Sequence, residues 1–163
     1  MTFLPFTLNP FYCQEKIFLI RYILMKKYLI LFFAIFFYFV AFSVEKNNDK
    51  DIKKSIELIK LGKLEDAFVI VNEHIEENPT DEFYYLQGVI YERLEDYKHA
   101  YESFNMVISD YSSNYREIAY ISAISCLEHL KDFKKLKVIM KDFVIEFTES
   151  KYYNIIKKRL EKL

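Results

Sequence analysis

Between Tyr84 and Phe104 the chain alternates large and small residues in a fixed order: Tyr84, Gly88, Tyr91, Tyr97, Ala100 and Phe104. Tyr84, Gly88 and Tyr91 follow one another at helical spacing, and so do Tyr97, Ala100 and Phe104. Glycine and alanine stand where two helices would touch, and the aromatics stand where the touching faces need filling. The segment therefore predicts two helices in close antiparallel contact. The whole chain has only two glycines and three prolines. That usage suits a helical chain with short connections.

Hydrophobic spacing extends this reading in both directions. Ile52, Ile56 and Ile59 with Leu58 predict a helix over about 49–61, ended by Gly62. Ala67, Val71 and Ile75 predict a second over 64–77. It stops at Asn78-Pro79, where proline disfavours helix at the preceding residue and supplies no N–H. Thr80 or Asp81 then caps a third helix over about 81–94. A fourth is expected over 97–110, a fifth over 115–130, a sixth over 133–147 and a last amphipathic segment over 150–162.

Two spacings make these helices copies. Gly62-Lys63-Leu64-Glu65-Asp66-Ala67 matches Glu95-Asp96-Tyr97-Lys98-His99-Ala100 at 33 residues, and Asp132-Phe133 matches Asp96-Tyr97 at 36 residues. Over 49–148 the chain resembles the tetratricopeptide repeat, a helix–turn–helix unit of about 34 residues that stacks on copies of itself. The middle unit matches best, lacking only a closing proline, in whose place Ser112 stands. The first unit keeps Gly62, Ala67 and Pro79 but has Asp51 where an aromatic is expected. The third has Ile124 and Leu136 at small-residue positions, which argues against an equally close helix crossing there. The resemblance implies an all-α, right-handed α-solenoid of about three units (49–80, 81–113 and 115–148) with a capping helix over 150–162. Lys157, Lys158, Arg159, Glu161 and Lys162 suit the solvated side of a cap.

The amino-terminal part reads differently. Residues 28–42 are fifteen apolar or aromatic residues without charge, preceded by Met25-Lys26-Lys27 and followed by Ser43 and a polar stretch. This is the layout of a signal peptide over 25–43, with Ala41 and Ser43 at the small-residue positions and cleavage expected after Ser43. Translation is then expected to start at Met25, leaving 1–24 as an overextended or disordered lead. The competing reading keeps 28–44 as a signal anchor attached to the membrane, although a spanning helix needs about 20 apolar residues. Both readings put 49–163 outside the cytoplasm, because Lys16, Arg21, Lys26 and Lys27 precede the run and positive residues stay inside.

Little points to chemistry. Beyond residue 43 the chain holds 19 Lys/Arg and 23 Asp/Glu, a net charge of −4. No basic stripe suggests a nucleic-acid partner. His74, His99 and His129 have no metal-ligand spacing among them. Two glycines cannot make a phosphate loop, and no nucleophile is set beside a base. No cofactor, metal or catalytic residue is expected. Cys126, among Ile121, Ile124, Leu127 and Leu130, reads as a buried core residue.

What remains is a surface. In the resembled family the first helix of each unit lines a concave groove. The corresponding positions here offer Ile52, Ile56 and Lys60, then Tyr85, Val89, Glu92 and Arg93, then Ile121, Ser125, Glu128 and His129. An apolar floor with charged rims suits an extended or helical peptide. The apolar members could equally serve only to pack neighbouring helices. Some family members clamp a peptide carboxyl terminus with lysine, asparagine and arginine; Tyr85, Val89 and Ile121 stand at those places, so that activity is not implied. The expected function is that of a non-enzymatic extracytoplasmic adaptor or scaffold holding a protein or peptide. The alternative is a membrane-anchored structural or assembly subunit of an envelope complex that self-associates through its repeats.

Overall fold

The computed structural model describes the backbone of residues 10–163 and the side chains of residues 25–38 and 48–163. The described backbone contains seven α-helices: α1 (Pro10–Lys60), α2 (Leu64–Glu77), α3 (Asp81–Arg93), α4 (Tyr97–Ser109), α5 (Arg116–His129), α6 (Phe133–Glu146) and α7 (Tyr153–Leu160). Two compact units divide the chain, Met1–Asn47 and Asn48–Leu163.

In the first unit every described side chain from Met25 to Tyr38 is exposed. Phe32 and Phe36 stack one turn apart, with ring centroids 6.4 Å apart. The sequence suggests a break between residue 43 and the start of the next helix at about 49. Instead α1 runs through it, because no glycine or proline occurs between Pro10 and Gly62. The cleavage point after Ser43 and the lead over 1–24 fall outside the described side chains. Among the described residues no helix is long and apolar enough to cross a membrane.

The second unit is an all-α helical repeat solenoid in which successive helices pack on each other: α2 on α3, α3 on α4, α4 on α5, α5 on α6 and α6 on α7. The repeat is written most clearly in its turns. Leu58, Tyr91 and Leu127, spaced by 33 and 36 residues, accept hydrogen bonds at their carbonyls from the N–H groups of Lys63, Asp96 and Asp132 at 2.9, 2.9 and 3.1 Å. Ile59, Glu92 and Glu128 accept from Gly62, Glu95 and Lys131 at 3.2, 3.0 and 3.1 Å. Each first helix thus ends in the same Schellman motif, whose penultimate residue must be left-handed. Gly62, Glu95 and Lys131 have φ of 74°, 60° and 56°. Glycine meets this requirement once, and a glutamate and a lysine meet it under strain. Asp96 and Asp132 then cap α4 and α6 by accepting from the N–H groups of His99 (3.3 Å) and Lys135 (3.1 Å). Lys63 caps α2 with no side-chain bond.

The core follows the same register. Ala67, Ala100 and Leu136 are buried, as are Val71, Phe104 and Met140. Each large side chain removed from water in this way contributes about 1.5–3 kcal/mol. Ser55, Gly88 and Ile124, at the matching place on the first helices, are buried as well. The core divides at α3. Phe83, Leu86 and Ile90 face Ile59, Ala67 and Val71 on one side, while Tyr84, Tyr85 and Tyr91 pack against the cluster built on Ala100, Phe104 and Leu127. Val89 touches both clusters. A polar chain crosses the same seam: Gln87 Nε2 donates to Asn72 Oδ1 (2.8 Å), and Ser103 Oγ donates to Gln87 Oε1 (2.8 Å).

Differences from the expected boundaries lie at helix ends. The last segment shortens from 150–162 to Tyr153–Leu160, because Ser150 Oγ accepts from the N–H of Tyr152 (3.0 Å) and holds those residues in a turn. Thr80 occupies the N-cap of α3 with extended backbone but makes no capping bond.

Candidate functional site

The expected groove residues come from three helices and divide by what holds them. Ile52 and Ile56 are half-buried against the first core cluster, and Tyr85 and Ile121 against the second. With Val89 touching both, the apolar floor is largely committed to helix packing. Tyr85 has its ring 5.6 Å from that of Phe104 and 5.5 Å from that of Tyr115. Burial pushes its phenol pKa up, with a hydrogen bond to Ser122 acting the other way. Ser125 is half-buried.

The charged members sit at equivalent places in their units. Lys60, Arg93 and His129 are each the basic residue in the last turn of a first helix. A cation there is favoured by the helix dipole alone. Lys60 and Arg93 are exposed. His129 lies flat on the ring of Tyr97 in α4, with centroids 4.1 Å apart and planes within 2°. This contact ties it to the second helix of the middle unit as well as to the groove side.

Glu92 and Glu128 are half-buried carboxylates at those same helix ends, where the dipole disfavours them. Burial raises the pKa of Glu92, and the charges of His129 and Arg93 oppose that rise. Burial pushes the Cys126 thiol up to about 12, and the negative charge of Glu92 acts in the same direction. The ends of α3 and α5 therefore share one electrostatic environment. Glu128 pairs instead with Arg159 of α7. Beside that pair a cavity of about 380 Å³ opens, with Phe133, Leu136 and Met140 among its lining. It combines an apolar floor with a charged rim more clearly than the floor over Ile56 and Val89 does.

Several polar anchors escape a reading of spacing alone. Arg116 is buried; its Nε donates to the carbonyl of Ile108 (2.9 Å), its guanidinium pairs with both oxygens of Glu146, and its Cζ lies 4.3 Å from the Tyr111 ring centroid. Asp51, in place of the missing aromatic, bonds His74 Nε2 at 3.0 Å, and His74 stacks on Phe83 at 4.3 Å. Ser113 donates to Asp81 and Ser150 donates to Glu117, so the same tie joins the loops after α4 and after α6 to the helix start of the unit before each. The only sequence signal for these ties is the recurrence of a serine two residues before a tyrosine. Among the described residues no group of three or more His, Cys, Asp or Glu could hold a metal ion.

No family model matches the chain, and no curated protein matches it.

Proposed function

We propose that the second unit is a tetratricopeptide-like adaptor that holds a protein or peptide partner on its first-helix side, outside the cytoplasm. The observation that carries this reading is the threefold Schellman turn at spacings of 33 and 36 residues, each leading into a helix with a buried residue at the Ala67, Ala100 and Leu136 position. Such a stack presents a continuous surface along its first helices. Glu92, Arg93, Glu128 and His129 supply its charged edge. Extracytoplasmic placement rests on the basic residues before the exposed apolar run of 28–38.

The test is binding of a displayed peptide library to the protein, followed by affinity measurement on selected peptides. Tyr85→Ala with Arg93→Ala is expected to weaken selected peptides at least about tenfold, whereas Lys98→Ala on α4 leaves them unchanged. Peptides that ignore the first pair would refute the groove.

A second reading is favoured by one observation, the exposed apolar helix face on all sides from Tyr28 to Tyr38. A helix apolar all round requires a covering, and a bilayer would make the chain an anchored assembly subunit. Amino-terminal sequencing of the native protein separates the two: a start at Val44 leaves a free adaptor, and a start at or before Met25 leaves an anchor.

A further inference from the structure

First and second helices alternate in the packing order, so the second helices of the three units fall on the side of the solenoid away from the first helices, and their charge changes steadily along it. Helix α2 carries five carboxylates and no lysine or arginine. Helix α4 carries one lysine and one glutamate. Helix α6 carries four lysines against one aspartate and one glutamate. Glu73 and Glu77 on α2 and Lys137 and Lys141 on α6 are exposed. They join none of the ion pairs formed among the described residues. Each helix also exposes an apolar side chain on this face: Val69 on α2 (56% exposed), Met106 on α4 (51%) and Val138 on α6 (53%).

We propose that this face pairs with the same face of a second copy, antiparallel, about a two-fold axis passing through α4. A two-fold interface brings one surface against itself with its ends exchanged. Here that exchange sets the acidic α2 of each copy on the basic α6 of the other, twice over. Parallel pairing would set α2 on α2 and is opposed by ten carboxylates. Met106 meets its own copy at the axis, and Val69 meets Val138 of the second copy, giving an apolar centre with a charged rim. Three helices of about 20 Å each make a small face for a specific pair. The association is therefore weak, driven by charge and sensitive to salt. It uses the face opposite the groove, so peptide binding and self-pairing can fail independently.

Cysteine cross-linking in the detergent-solubilised full chain, with Cys13→Ser as background, tests the geometry. Within one chain Val69 and Val138 lie on helices separated by α4, and a disulfide needs Cα atoms within about 7 Å. Chains carrying Val69→Cys mixed with differently tagged chains carrying Val138→Cys are expected to give the mixed disulfide. Met106→Cys alone is expected to give a homodimer. Glu73→Lys with Glu77→Lys should weaken both cross-links about tenfold. Adding Lys137→Glu with Lys141→Glu in the same chain should restore them, which separates lost pairing from lost folding. A mixed disulfide without the Met106→Cys homodimer indicates head-to-tail chains and overturns the two-fold. Absence of both cross-links, or cross-links indifferent to charge reversal, overturns the pairing.

Discussion

Gly88 in α3 lies directly beneath the ring of Phe104 in α4: a Cβ added to the glycine would stand 2.5 Å from Phe104 Cε1 and 2.7 Å from Cδ1. The ring is fully buried. This contact sets how closely the two helices of the middle unit approach.

Gly88→Ala is therefore expected to destabilise the protein although alanine is the better helix former. Helix propensity favours alanine by about 1 kcal/mol, whereas overpacking a closed contact costs about 1–3 kcal/mol. The net loss should be about 1 kcal/mol, read from the midpoint of urea unfolding. Phe104→Leu in the same chain should cost less than the two changes separately. Strict additivity would show that the ring and the glycine do not constrain each other.

The three turns make a contrasting prediction. Glu95 and Lys131 hold φ values of 60° and 56°, and Gly62 holds the same conformation with nothing within 4 Å of its would-be Cβ. Strain alone distinguishes the three. Glu95→Gly and Lys131→Gly should each stabilise by about 0.5–1 kcal/mol, and Gly62→Ala should cost about 1 kcal/mol. Thermal melting checks all three, and a destabilising Glu95→Gly would mean that the glutamate side chain outweighs its backbone.

How much of this was legible in the sequence follows from where each interaction lies. The close approach at Gly88 and the turn register could be read because both repeat at fixed spacing and need particular residue sizes. The αL geometry at Glu95 and Lys131 could be inferred only by copying it from Gly62, since neither residue favours it. Arg116 and Glu146 were invisible: they are 30 residues apart, belong to different helices, and look like ordinary surface charges until the fold buries one of them. The groove was legible as a set of helix positions. Sequence could not tell that Ile56, Val89 and Ile121 are spent on packing, because a half-buried floor and a half-buried seam have the same spacing.

Arg116 carries its own test. Its side chain is 8% exposed and that of Glu146 is 30% exposed. Removing the partner leaves a buried cation with the Ile108 carbonyl and the faces of Tyr111 and Tyr120. Glu146→Ala should therefore cost about 2 kcal/mol, below the 3–5 typical of fully buried pairs because Glu146 is partly solvated. Arg116→Met combined with Glu146→Ala should recover part of that loss in chemical unfolding. A double variant worse than Glu146→Ala would show that Arg116 contributes through Ile108 and Tyr111 more than through its charge.

Glu92 separates stability from binding. Its carboxyl is held above the ordinary 4.5 by burial, with His129 and Arg93 pulling the other way. A raised acid favours the folded state while it stays protonated. That contribution is complete below the unfolded pKa and is lost as pH rises through the higher folded value. Glu92→Gln removes the loss, so the variant should unfold at higher denaturant than the parent at neutral pH and converge with it in acid. Were Glu92 only a packing residue, that gain would come at no functional cost. If it is part of the charged edge of the groove, peptides selected for a lysine or arginine should bind the stabilised variant more weakly. Denaturant melts across the pH range, paired with affinities for one such peptide, measure both. Equal peptide affinity in the two proteins would remove Glu92 from the groove and leave Glu128, paired with Arg159 beside the C-terminal cavity, as the acidic member of its charged edge.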